Sequence, residues 1–190
     1  MANRHSRGQH NGIQIRLRHS KPLSNRGIES TRIAALTVLE QATHPGPLQV
    51  FSTHIARGDE CQMERVGQIV RDGLGAGPSL LMGDFNTPET SKVLTTLRNE
   101  AGFVDAFRVV NPEATGPTVW QRIEVEPSTA SRRVDFIFLL HGRESMASVR
   151  SSRIVLDRPG RLPDGTALWP SDHYGVLAEL EILPSPAHKR

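Results

Sequence analysis

A single cysteine, Cys61, stands in 190 residues, which excludes an internal disulfide and fits a reducing compartment. Within a helical pattern, that residue is expected to be a buried small hydrophobe. No apolar run approaches the roughly 20 residues that span a bilayer, and no signal-peptide core follows Met1. The cytoplasm is therefore the expected location, with no transmembrane segment. Zinc-type spacing is missing as well: His5, His10, His19, His44, His141 and His188 fall in polar or loop contexts without short pairing, which disfavours a zinc hydrolase. Repeats, linkers and low-complexity tracts are also lacking, so one domain over residues 1–190 is expected, as a monomer.

The remaining composition is ordinary for a globular chain, at 37% hydrophobic and 23% charged residues. Its basic excess is local. Residues 1–32 hold seven Lys/Arg and one acid, a charge of +6, while the rest sums to −3. A basic leading arm can bind nucleic acid non-specifically; the plainer reading is a solvated end. Residues 1–11 are polar and expected to carry little fixed structure.

The stretch Leu80-Leu81-Met82-Gly83-Asp84-Phe85-Asn86 organises the chain. Apolar residues run into a glycine, and two short oxygen-bearing side chains follow one residue apart, as at a buried strand ending on a catalytic edge. In extended backbone Asp84 and Asn86 point the same way. A carboxylate beside an amide suits a hard cation and a phosphate oxygen; a plain strand-to-loop turn is the alternative.

Around it, alternation predicts strands over 13–17, 48–52, 134–139 and 174–182, with another over 149–156. Residues 28–40 fit either a strand or a helix. Met63, Val66, Ile69, Val70 and Leu74 share a helical face over 59–74, and Val93, Leu94 and Leu97 mark a helix near 91–99. The segment 122–132 reads as a loop or hairpin, and 157–170 as a Gly/Pro-rich loop. Helices lying between strands make the class α/β.

Polar residues of catalytic type recur at strand ends: His54, the pair Asp84 and Asn86, Asp135, and Asp172-His173. Sheets bring such ends to a common rim. Each has a structural alternative: His54 as a hydrogen-bonded strand end, Asp135 paired with Arg132 or Arg133, and Ser171-Asp172 capping a turn. Together they support metal-assisted attack of water on a phosphate ester. Mg²⁺ needs only one or two carboxylates beside the substrate phosphate, and a histidine oriented by a carboxylate can take the proton. Trp120 and Trp169 are candidates to stack on a base or ring; core packing suits Trp120 better, and a place on the rim suits Trp169.

The ordered pieces Ser52-Thr53-His54, Gly83-Asp84-Phe85-Asn86, Arg133-Val134-Asp135-Phe136-Ile137 and Ser171-Asp172-His173-Tyr174, with Gly102-Phe103-Val104-Asp105-Ala106-Phe107 between the second and third, resemble the endonuclease/exonuclease/phosphatase family over residues 48–183. The resemblance implies a deoxyribonuclease I-like α/β/β/α sandwich and a Mg²⁺-dependent phosphoesterase, with Mn²⁺ as a substitute. It implies His173 as general base oriented by Asp135, Asp172 at the metal, Asp84 positioning the water or a second ion, Asn86 binding the scissile phosphate or metal, and His54 donating to that phosphate. The substrate is a phosphate ester, with nucleic acid among the candidates; no dense apolar hairpin points to lipid. Family members also carry an Asn and a metal-binding Glu further upstream. Here the acids before His54 are Glu29 and Glu40, neither in a fitting context, so the N-terminal part of the fold is expected to be missing and Mg²⁺ binding weak. The alternative class is an inactive remnant that serves as a binding module.

Overall fold

The computed structural model describes residues 9–10, 13–23, 32–41 and 46–185, with side chains for 35–39 and 46–185. In chain order its elements are β1 (Gln9–His10), β2 (Ile13–Leu23), β3 (Arg32–Gln41), β4 (Leu48–His54), α1 (Glu60–Asp72), β5 (Ser79–Asp84), α2 (Lys92–Asn99), β6 (Val104–Asp105), β7 (Asp135–Leu140), β8 (Ser145–Val155), β9 (Gly160–Arg161), β10 (Ala167–Leu168) and β11 (Gly175–Pro184). Seven strands form one sheet in the order β1-β2-β3-β4-β5-β7-β6, and β11 pairs with β8 in a second. Within the ambiguous segment 28–40, residues 32–40 are strand because β3 pairs on both sides, with β2 and with β4; residues 28–31 lie outside the described residues. Of residues 1–11, expected to lack structure, Gln9 and His10 form a strand against β2; the others lie outside the described residues. The Gly/Pro-rich loop 157–170 carries the small β9–β10 hairpin.

Both helices begin where a side chain captures an orphan backbone N–H. Asp59 accepts from the Gln62 amide at 2.9 Å, and Ser91 from the Leu94 amide at 3.4 Å. Their apolar faces cover one side of the large sheet. Met63, Val66 and Val70 from α1 and Leu94 from α2 pack with Phe51, Leu81, Phe85, Phe136 and Phe138. Phe85 meets Phe136 and Phe138 edge-on at 5.6 and 5.4 Å between centroids. Each such buried side chain contributes about 1.5–3 kcal/mol of hydrophobic stabilisation.

The other side of the sheet buries Leu80, Leu139 and Ala106 against Ala147, Val149, Ala178 and Leu180 of the β8–β11 pair. Helices, seven-stranded sheet and second sheet thus stack as α/β/β layers of an α/β sandwich. Cys61 departs from expectation and is exposed. Gln62 takes the inward place instead, accepting from the Ala56 amide through Oε1 at 3.0 Å.

Candidate active site

Strand direction brings the predicted residues to one edge. β4 and β5 run parallel and end at His54 and Asp84, which are register partners. β7 runs antiparallel to β5, so its first residue, Asp135, is the partner of Asp84 on the other side. His54, Asp84 and Asp135 therefore form a row across three neighbouring strands. The ladder continues one step past each end, with Ile55 N–H donating to Asp84 O and Phe85 N–H to Val134 O, both at 2.9 Å. Gly83 allows this closeness: its φ is +140°, and a Cβ there would lie 1.9 Å from the Thr53 carbonyl oxygen.

The chain segment before β11 completes the row. Val119 bridges to both Arg132 and His173, Gln121 N–H donates to Asp172 O at 2.9 Å, and Tyr174 N–H to Thr118 O at 2.8 Å. The result is a contact of 2.9 Å between His173 Nδ1 and Asp135 Oδ2. An ionised carboxylate can only accept, so Nδ1 carries the proton, and in the neutral imidazole Nε2 then holds the lone pair. Thr118 fastens the strand start, its Oγ1 accepting from the amides of Val134 and Asp135 at 3.1 and 3.2 Å. Burial pushes the Asp135 carboxyl above its ordinary value, and the charge of Asp84 adds to this; hydrogen bonds with Thr118 and His173, and the His173 charge, pull the other way.

Asn86 occupies a left-handed conformation at φ +48°, where a non-glycine residue persists only when its surroundings fix it. Its own amide N–H donates to Asp84 Oδ1 at 2.7 Å, closing a local turn. Its side-chain Nδ2 faces Ile55 O at 3.0 Å, Asp84 Oδ2 at 3.1 Å and His54 Nε2 at 3.1 Å. That amide is committed to positioning the carboxylate and imidazole. His54 Nε2 lies 3.2 Å from Asp84 Oδ2, with its side chain 54% exposed, so the ring is open to a ligand. Asp172 lines the same cleft as Asn86 and His173, and its Oδ1 accepts from Ser171 Oγ at 3.3 Å.

Among the described residues, Asp84, Asp135 and His173 offer ligand atoms within 4.8 Å of one another and could hold a metal ion. Because Asp135 and His173 already bond to each other, Asp84 is the carboxylate best placed for a cation. Two carboxylates within that radius fit a hard divalent ion; Asp172 is not one of the grouped ligands.

Several features were not legible. Arg133 pairs not with Asp135 but with Asp105, at 3.0 and 2.6 Å, and with Glu89 at 3.0 Å. The tryptophan roles are reversed: Trp169 is 4% exposed and Trp120 58%. Arg57, Arg132 and Trp120 line the cleft, and nothing in their local sequence marks them as neighbours of His173.

No protein-family model and no curated protein matches the chain. Solved structures do match. An endonuclease/exonuclease/phosphatase family protein from Bacteroides thetaiotaomicron is 19% identical over 89% of this chain and 64% of its own, with a TM-score of 0.66. A mannosyl-6-phosphatase from the same organism is 20% identical over 88% and 67%, at 0.67. The TDP2 protein of D. rerio, complexed with a single-strand DNA product, is 14% identical over 88% and 68%, at 0.66. The chain thus spans about two thirds of the length of these structures. Over most of its residues, it carries the α/β sandwich fold of the endonuclease/exonuclease/phosphatase proteins.

Proposed function

We propose that the chain is a metal-dependent phosphoesterase in which His173 activates water. The contact between His173 Nδ1 and Asp135 Oδ2 at 2.9 Å carries this reading. Asp135 fixes the tautomer, and His173 Nε2 takes a proton from water as its oxygen bonds to phosphorus. The bond from phosphorus to the departing ester oxygen breaks, and that oxygen leaves with the electron pair. His54, open at the end of its strand, donates to the phosphoryl group. Mg²⁺, with Mn²⁺ as substitute, would be held by Asp84, with Asp172 and Asn86 beside it. When bound, such an ion offsets the charge that builds on the phosphoryl oxygens. The neighbours in fold include a sugar phosphatase and a protein seen with a DNA product, which supports a phosphate ester as substrate class.

The test is hydrolysis of bis(4-nitrophenyl) phosphate and of a single-stranded oligonucleotide with Mg²⁺, compared between the wild type and His173→Ala. A drop of about 10²-fold or more is expected from losing a general base, together with loss of activity in EDTA and recovery on adding Mg²⁺. Turnover unchanged by His173→Ala would remove the assignment.

A further inference from the structure

Trp120 exposes 58% of its surface, yet its backbone is held firmly. Val119 and Gln121 on either side are 6% and 0% exposed. Thr129 Oγ1 donates to Trp120 O at 2.8 Å, and Gln121 Oε1 accepts from Thr129 N–H at 2.9 Å and from Tyr174 Oη at 2.7 Å. Gln121 N–H also donates to Asp172 O, which ties this turn to the segment bearing His173. An indole left in water on so fixed a mount forgoes the stabilisation that burial would give it. Trp169 shows the contrast, stacked on Tyr174 at 5.4 Å with its Nε1 donating to Val125 O at 2.8 Å.

The cleft beside Trp120 holds about 320 Å³, and Asn86, His173, Arg57 and Arg132 are among the residues that line it. Both arginines are exposed, and among the described residues neither has an ion-pair partner. A flat aromatic face and two unpaired guanidinium groups beside a hydrolytic centre match a flat ring carrying a second phosphate. A sugar monophosphate has one phosphate and would leave a cation unused. A duplex would hide its base faces, whereas an unpaired strand shows them.

We propose that Trp120, Arg57 and Arg132 form a subsite that stacks an unpaired nucleobase and holds the phosphate next to it, so that the substrate is a single-stranded nucleic acid. This rests on His173 and Asp135 being the hydrolytic centre, and binding can be read apart from hydrolysis.

The probes are fluorescein-labelled oligothymidylate and an abasic oligomer of equal length, read by anisotropy in EDTA, where no metal-dependent turnover occurs. The expected result is binding about 10-fold or more tighter for oligothymidylate, a preference lost in Trp120→Ala and retained in Trp120→Phe, in line with stacking on a single base. Arg57→Gln and Arg132→Gln should each lower the slope of log affinity against log salt by about one. With the two tryptophans of the chain differing so much in exposure, unlabelled oligothymidylate should also quench the Trp120 emission. Equal affinity for the two oligomers, unchanged binding by Trp120→Ala, or equal quenching by mannose 6-phosphate would each overturn the subsite. If His173→Ala spares hydrolysis while the base preference persists, the catalytic reading fails and the subsite stands. If His173→Ala abolishes hydrolysis while Trp120→Ala binds as the wild type does, the reverse holds.

Discussion

Asp135 Oδ2 lies 2.9 Å from His173 Nδ1, a contact that joins the first residue of β7 to the segment before β11. The carboxylate is 19% exposed and the imidazole 29%. Burial raises the Asp135 carboxyl above its ordinary value, so the folded chain disfavours its ionised form. For an acid shifted upward, the stability contribution is present below the unfolded value of 3.8 and lost as pH rises through the folded one. Asp135→Asn should therefore keep or raise the melting temperature at pH 7. The same change offers Nδ1 an amide that can donate, which favours the wrong tautomer, so kcat should fall by about 10²-fold or more. Melting curves beside steady-state rates check the split; a fall in both would mean that the pair serves the fold alone.

Gly83 tests how the row of site residues is assembled. It pairs with Thr53 in the β4–β5 ladder, and a Cβ would lie 1.9 Å from the Thr53 carbonyl oxygen at a φ of +140°. Overlap and backbone strain act together, so Gly83→Ala should destabilise by about 3 kcal/mol. Chemical denaturation reads this directly. A loss under about 0.5 kcal/mol, within the range of ordinary surface changes, would mean that the two strand ends are not so tightly joined.

The edge residues were readable because each lies at the end or the start of an apolar strand pattern; that they share one edge follows from β7 running antiparallel to β5, which sets its first residue beside the last of β5. Helix α1 was readable from its period, and Cys61 should have been: at about 100° per residue it sits roughly 200° from Met63, on the outer face. Trp120 and Trp169 stand outside any long alternating run, so no periodicity says which one turns inward. Arg133 was linked by proximity to Asp135, but its partners Asp105 and Glu89 lie 28 and 44 residues away in sequence. Sequence adjacency carries little information about ion pairs that close only after the sheet has formed.

Asn86 separates backbone conformation from side-chain contacts. At φ +48°, glycine fits without strain, whereas alanine costs about 1–2 kcal/mol there. Both substitutions remove the Nδ2 contacts to Ile55 O, Asp84 and His54. Asn86→Gly should therefore be about 1 kcal/mol more stable than Asn86→Ala, although it removes more atoms, with both impaired in turnover. Equilibrium unfolding of the two variants compares them; equal stability would deny the left-handed strain.

Glu89 joins Arg108 and Arg133 through charge-assisted hydrogen bonds. It follows Asn86 by three residues, and Arg133, which it meets at 3.0 Å, precedes Asp135 by two. Its Oε1 and Oε2 also accept from Arg108 at 2.7 and 2.8 Å, while Arg133, with a side chain 2% exposed, has Asp105 as second partner. Burial pushes the Glu89 carboxyl up, but hydrogen bonds and charge from Arg108 and Arg133 outweigh it, leaving it below 4.5. For a depressed acid, the stability is present above the unfolded value of 4.5 and lost as pH falls through the folded one. The wild type should thus lose stability on acidification below about pH 4.5. Glu89→Gln should be less stable at pH 7, because Arg133 keeps only part of its compensation, and its acid limb should be shallower, so that the two curves converge at low pH. Melting temperatures from pH 7 to pH 3 measure this, and parallel curves for the two proteins would show that Glu89 does not carry the acid sensitivity.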